Sequence, residues 1–347
     1  MKMPGAALQG GLAALGLIAA YTTWQRAPEH KSGEVTLVDA TQNDLNKVRY
    51  QDDGAKPPKW VELERRKDAD GSHVWLRTSP HILDMKHQNE MTPEREVRGN
   101  EAAGKLFDKF APLRATRALG VLAADKLKEV GLDASKKHFE VTASGSKHAY
   151  TIGTSPFGVS DPYVKDDADG KVFVLGGGVV GDLDSAASRL VSRELHDWKP
   201  TEFDGLTITA GDKKRELSRT TTDSPTQFKL TSKSGRSDDT AKNWHEKLWR
   251  VLVTDVLGKG ETPKNGEPVI VTRVEYTQHG RARGFIEIGR VAAKPPEALS
   301  STSASPPPPP QPGEVYARTE STAGWMKLGG NIEDLLREAP GIAASSD

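Results

Sequence analysis

One stretch of this chain is spelled twice, and that repeat limits the fold more than any other feature. Phe139 to Arg193 reads as strand, turn, strand, long loop, hairpin, then a glycine-rich step into a helix; the same order returns from Val274 to Arg337. The first copy runs through Phe139, Val141, a turn at Gly145 and Tyr150-Thr151-Ile152-Gly153. The second runs through Val274, Tyr276, a turn at Gly280 and Ile286-Glu287-Ile288-Gly289. Paired strands follow, Tyr163-Val164 with Val172 to Leu175 in one copy and Val315-Tyr316 with Trp325 to Leu328 in the other. Each copy closes on Leu-Gly-Gly and a helix, at Leu175-Gly176-Gly177 and Leu328-Gly329-Gly330. Period-2 alternation between Gly and Asp turns predicts strands, and a repeat at this spacing predicts a fold organised around it.

The flanking sequence extends the repeat. Val35 to Val38, Leu45 to Tyr50, Trp60 to Leu63 and His73 to Leu76 read as an antiparallel meander, broken at Gly54 with Pro57-Pro58 and at Asp70-Gly71. From Gly99 to Leu119 the period changes. Ala103, Leu106-Phe107, Phe110 and Leu113 predict one apolar helix face, kinked or split at Pro112. A short helix from Ala123 to Val130 is expected to end at Gly131, and one from Asp182 to about Glu194 closes the first copy. Leu206 to Thr209, Arg215 to Leu217 and Phe228 to Leu230 again read as meander strands. A helix from about Asp238 to Leu257 follows, with Trp244, Leu248, Val251 and Leu252 on one face. Meander, helix and repeated unit therefore occur twice. In this register the Pro-rich stretch 294–313 falls between two strand pairs of the second copy, and is read as a disordered or polyproline insertion within it.

The predicted architecture is α+β: an N-terminal membrane helix (1–27), then two tandem duplicated units of antiparallel sheet with packed helices (28–200 and 201–347). A chain of 347 residues is long enough for two such cores. Gly5 to Trp24 is a nearly uncharged run; at ~1.5 Å per residue its length is about 30 Å, the thickness of a bilayer core. Tyr21 and Trp24 suit the headgroup boundary. A cleaved signal peptide is the competing reading, suited by the small residues near Ala19-Ala20. An uncleaved signal anchor is favoured because no small-x-small site precedes a plausible mature start. The expected place is the bacterial inner membrane, single-pass through residues 5–24, with the soluble bulk in the periplasm.

Composition narrows the chemistry. No cysteine is present, which excludes disulfides, thiolate catalysis, Cys-ligated zinc or iron–sulfur clusters and a lipid-modified N-terminal Cys. Forty-eight Lys and Arg balance 48 Asp and Glu without a concentrated basic face, so no nucleic-acid partner is expected. Gly176-Gly177-Gly178-Val179-Val180-Gly181 satisfies G-x-G-x-x-G after a strand and before a helix, with Glu202 near the distance of a ribose-binding acid. Gly176, Gly178 and Gly181 are therefore the cofactor-binding candidates of an alternative reading, a nucleotide-dependent enzyme. Against it, the upstream hairpins are antiparallel, and the second copy keeps only Leu328-Gly329-Gly330 before Asn331-Ile332-Glu333. The shared element is a strand-to-helix turn, so no cofactor is expected.

Nine histidines include none in a paired metal-ligand spacing on one element. His81 and His87 near Asp84 form the one conceivable surface metal site, and His245 on its helix is expected to face solvent, so no metal and no catalytic residue is assigned. The tryptophans, among them Trp60, Trp75, Trp198, Trp244, Trp249 and Trp325, are expected in the cores. Exposed, they would support glycan binding, the other alternative.

Several of these motifs carry a resemblance. Leu45 to Tyr50 leading to a Trp-containing strand that ends at Thr78, Gly131-Leu132-Asp133 after a helix, Tyr150-Thr151-Ile152-Gly153, Pro162-Tyr163-Val164 and Val172-Phe173-Val174 together resemble the bacterial envelope family catalogued as domain of unknown function family 4340, over about residues 34 to 230. The resemblance implies an N-terminal membrane segment and repeated α+β units. It also implies an accessory role beside gliding-type ABC transport systems, and brings no catalytic residues. The expected function is a non-catalytic, membrane-anchored envelope protein that binds or scaffolds an ABC-type transport or gliding-related complex.

Overall fold

The computed structural model describes residues 33–68, 71–81, 91–158, 160–221, 228–293 and 313–345. The expected anchor over 5–24, the turn at Asp70, His87 with Asp84, and the Pro-rich stretch 294–312 lie outside the described residues. Among the described residues no helix is long and apolar enough to cross a membrane.

The chain is α+β, mostly antiparallel strands in two sheets with few helices. The first sheet has ten strands: β1 (Val35–Val38), β2 (Leu45–Asp52), β3 (Lys59–Asp68), β4 (Gly71–Thr78), β5 (Arg95–Arg98), β6 (Leu113–Val121), β7 (Lys137–Ala143), β8 (Ser146–Ile152), β9 (Tyr163–Asp166) and β10 (Lys171–Leu175). Their spatial order is β1-β6-β10-β9-β8-β7-β2-β3-β4-β5. The second sheet has eight: β11 (Gly205–Ala210), β12 (Lys213–Thr221), β13 (Phe228–Thr231), β14 (Leu252–Val256), β15 (Val269–Gln278), β16 (Arg281–Arg290), β17 (Val315–Thr319) and β18 (Met326–Gly329). Its order, β14-β18-β17-β16-β15-β11-β12-β13, follows the first sheet strand for strand from β6 to β4. Among the described residues β1 and β5, the outermost strands of the first sheet, have no counterpart in the second.

Helices α1 (Glu101–Asp108), α2 (Ala124–Glu129), α3 (Val179–Asp184) and α4 (Ala186–Arg189) accompany the first sheet, and α5 (Asp239–Trp249) and α6 (Ile332–Ala344) the second. Asn100 caps α1 and Asp238 caps α5, each side chain accepting a first-turn N–H. Two expected helices are shorter than their apolar periodicity. That over 99–119 stops at Asp108 because Pro112 cannot continue it, and Leu113 onward joins the sheet as β6. That over 238–257 stops at Trp249, since Val253 and Val256 are β-branched and pair with β18. The expected helix over 182–194 is instead two short ones, α3 and α4, that begin at Val179 and end at Arg189.

The glycine corners explain why the repeat is visible in the sequence. Leu175 lies opposite Ala115 and Val174 opposite Arg117, leaving Thr116 in a bulge. Leu328 lies opposite Val253 and Lys327 opposite Asp255, leaving Thr254 in the same bulge. Thr116 Oγ1 donates to the Val174 carbonyl at 3.1 Å, and Thr254 Oγ1 to that of Lys327 at 3.2 Å. Each threonine methyl then fills the space that a Cβ on Gly176 or Gly329 would need, and the next residue turns through φ +80° at Gly177 and +68° at Gly330. The same register pairs Tyr163 with Tyr316 and Val164 with Ala317, one residue away from the alignment expected for those strands. Gly177→Ala and Gly330→Ala are each expected to lower the unfolding free energy by ~1–2 kcal/mol. Gly104→Ala, in α1 with open space around it, is expected to raise it by ~0.5–1 kcal/mol. Urea midpoints of the three variants check this.

One hydrophobic cluster runs through both sheets, from Val38 to Ala343. Between them, Arg95 is 7% exposed and forks onto Asp255 (2.8 and 3.1 Å) and Glu261 (both 2.9 Å). The outer edge of β5 is covered by the chain itself: Ser192 N–H donates to Arg98 O, Asn100 N–H to Leu190 O, and Lys259 N–H to Glu96 O. That removes a strand edge from solvent.

Candidate functional site

A buried group of titratable and aromatic side chains sits where the chain passes from one sheet to the other. Leu195-His196-Asp197-Trp198 threads this junction, and Glu320, just past β17, receives it. Glu320 Oε1 accepts from His196 Nδ1 at 2.6 Å and from Trp198 Nε1 at 2.8 Å, while Oε2 accepts from the Phe285 N–H at 2.7 Å. Gly284 permits this approach, because a Cβ there would lie 2.5 Å from the carboxylate. Burial pushes the Glu320 carboxyl up, but the His196 contact and the Phe285 and Trp198 donors hold it below the ordinary carboxylate value. Around Glu320, Thr319 Oγ1 donates to Leu195 O at 2.5 Å and Arg98 reaches Ser321 O (3.0 Å) and Asp197 (3.3 Å).

Behind this carboxylate lies an aromatic cluster. The His196 ring stacks on Trp249 at 4.7 Å and meets Trp198 at 4.4 Å and Tyr276 at 5.3 Å. His245 is fully buried, not solvent-facing as its position on α5 predicts. It packs against Phe203, Phe228 and Trp249, with Nε2 3.0 Å from the Tyr276 hydroxyl. The signal for this was present: His245 follows Ala241 by four residues and precedes Leu248 by three, so it shares their apolar face. Burial, with His196 nearby, depresses the His245 imidazole to a pKa of about 3; burial, reinforced by the Glu320 charge, raises the Tyr276 hydroxyl well above its ordinary value. His196 Nε2 and His245 Nδ1 are buried without a hydrogen-bond partner. The His196 side chain is 0% exposed. The cluster has acid–base groups in contact; its histidines and Tyr276 are buried, while Glu320 reaches solvent.

One cavity, of about 390 Å³, opens over the junction and reaches His196, lined also by His73, Arg98, Asn100, Asp197 and Ser321. Another of about 560 Å³ lies beside the first glycine corner and includes Tyr50, Asp52, Lys137, Thr154, Gly181 and Asp184. There Tyr50 donates to Asp184 Oδ1 at 2.6 Å and Lys59 Nζ lies 2.7 Å from the same oxygen. Burial raises the Tyr50 hydroxyl, which Asp184 reinforces; Lys59 and Tyr50 outweigh burial at Asp184 and hold its carboxyl below the usual range.

Of the three candidate cofactor glycines, only Gly181 lines this cavity. Gly176 is packed on Thr116, and Gly178 takes φ +66° as the residue before α3. The strands leading to them, β9 and β10, are antiparallel, and Glu202 is engaged by Arg283 at 3.2 Å. Among the described residues no group of three or more His, Asp or Glu side chains could hold a metal ion. His81 lies 3.1 Å from both Ser79 O and Thr92 Oγ1.

Trp198, Trp244 and Trp325 are buried. Trp60, Trp75 and Trp249 are half-buried; Trp60 lies under Arg49 and Trp75 under Arg66. Comparison with protein-family models, curated proteins and solved structures finds no match.

Proposed function

We propose that this chain is a non-catalytic bacterial envelope protein, held in the inner membrane by residues 5–24 with its soluble part in the periplasm. Its two duplicated units present binding or scaffold surfaces to an ABC-type transport or gliding-related complex. The observation that carries the reading is the junction. The side chains with acid–base chemistry that come together spend their hydrogen bonds on the fold: His196 Nδ1 on Glu320 across the junction, and His245 on Tyr276 within the second unit, with His196, His245 and Tyr276 all buried. A reaction centre needs a path for substrate to such groups. The resemblance to domain of unknown function family 4340 supplies the envelope setting. The nucleotide alternative rests on Gly176, Gly178 and Gly181, of which the first two serve the backbone corner; the glycan alternative retains Trp60 and Trp75 under their arginines.

Fractionation tests the anchor. The full chain is expected in carbonate-washed inner membranes, digestible by protease added to spheroplasts, and soluble once residues 5–24 are deleted. Co-purification from crosslinked membranes should return transport or envelope proteins, and recovery of none would sink the reading. A nucleotide panel that raises the melting temperature, with the rise lost in Gly181→Leu, would favour the enzyme instead.

A further inference from the structure

The two sheets match strand for strand until their edges, and among the described residues one edge of the second sheet lacks a strand that the first possesses. On β6 the first sheet carries β1: Val35 lies opposite Ala115, Thr36 opposite Arg114 and Val38 opposite Leu113. The paired threonine bulges at Thr116 and Thr254 set the correspondence, so Ala115 matches Val253, Arg114 matches Leu252 and Leu113 matches Val251. Among the described residues, β14 has no strand on that side and ends the sheet.

The side chains follow the same contrast. In the first sheet Val38 is 2% exposed, with Val35 and Leu37 packed against the core. In the second, Leu252 is 60% exposed and Val251 half-buried. Beside them opens a groove of about 720 Å³, floored by Val251, Leu252 and Leu335 and rimmed by Lys247, Arg250 and Asp334. The other half of β14 is occupied, since Asp255 is held by Arg95. The open part is thus Val251 to Thr254, as long as β1 itself.

We propose that Val251 to Thr254 is a strand-acceptor site, which takes an extended segment of a partner polypeptide antiparallel to β14, as β6 takes β1. The proposal rests on the binding role above and names the surface that performs it. The occupant's chemistry is that of β1: a four-residue, mainly aliphatic strand with a small residue, like Thr36, opposite Leu252. Main-chain hydrogen bonds supply affinity and the aliphatic pocket supplies selectivity. A second copy of this chain does not offer its β1, which already completes its own first sheet.

The absence of cysteine makes the test direct. The full chain carrying Leu252→Cys is mixed in detergent with synthetic peptides of residues 33–40 bearing Thr36→Cys, Val35→Cys or Leu37→Cys. Disulfide formation should be roughly tenfold faster with the Thr36→Cys peptide, which places the two sulfurs opposite each other. The unmodified peptide should slow amide exchange at residues 252–254 of the unsubstituted chain, and Leu252→Lys should abolish that protection without shifting the melting temperature. Equal rates for the three peptides, or protection at Leu113–Ala115 instead, would overturn the proposal. Crosslinked homodimers of the Leu252→Cys chain without peptide would do so too, assigning the edge to a second copy. Failure here with successful membrane fractionation would remove the acceptor and leave the envelope reading standing.

Discussion

Between about pH 6.5 and 5 the protein is expected to lose about 2 kcal/mol of stability through His245 alone. In the folded chain burial depresses this imidazole from the ordinary 6.5 to about 3. The unfolded chain therefore binds a proton that the native chain refuses. The stabilisation from His245 is complete above pH 6.5 and falls by about 1.4 kcal/mol for each pH unit on the way down to 3. The structural cause is specific. The imidazolium carries a proton on both ring nitrogens, and Nδ1 is buried without an acceptor. The groups around the ring are Tyr276 on β15, His196 and Glu320 at the junction, and Lys242 and Glu246 on α5 itself; none presents a carboxylate to Nδ1. Urea unfolding at about pH 5, 6 and 7.5 should show the slope, and His245→Gln, which can still reach the Tyr276 hydroxyl, should remove it. A variant with the same slope as the parent would refute the assignment.

Removing the Glu320 carboxylate is expected to be the most damaging single change in the junction, at roughly 3 kcal/mol for Glu320→Ala. Three donors would lose their acceptor together: His196 Nδ1, Trp198 Nε1 and the Phe285 N–H. Glu320→Gln keeps the shape and one acceptor oxygen, so its loss should be smaller. Gly284→Ala drives a methyl into the carboxylate and should cost ~1–2 kcal/mol in the parent, but almost nothing in the Glu320→Ala background. Additive effects in that double-mutant cycle would show that the two residues do not act on each other. Because the Glu320 pKa is lowered on folding, its stabilisation is present above the unfolded value near 4.5 and lost as pH falls through the folded one. That window lies below the one used for His245, so the two can be measured separately.

The α+β fold was legible where local chemistry repeats. Leu-Gly-Gly marks both corners because a bulged threonine and a left-handed turn impose glycine at successive positions. Alternation found most strands of both sheets, but not β5, β6 or β14. It misplaced β9 against β17 by one residue, because Val315-Tyr316-Ala317 is apolar without interruption and does not show which side chain faces inward. Periodicity carried two helices too far for a related reason: Leu113 and Leu252 continue a helical spacing, yet the chain at those points already serves a sheet. The junction was the least legible. Glu320 is separated from His196 by 124 residues, and only the fold brings the two together. Likewise, an unoccupied strand edge leaves no local trace; it becomes visible when β14 is laid beside β6.

The matched strand order also bears on how the chain assembles. A nascent β10 meets two acceptors of similar geometry, β6 and β14, and β18 meets the same two, so the halves are at risk of exchanging strands during folding. Tandem homologous units are prone to this kind of misassembly. The inward pairs differ in volume: Phe173 faces Val164 in one half and Met326 faces Ala317 in the other. A swap would set Phe173 against Ala317 and leave Met326 against Val164, repacking both cores at once. The divergence between the copies, which weakens the repeat to the eye, thus acts as a sorting code that keeps each strand in its own sheet.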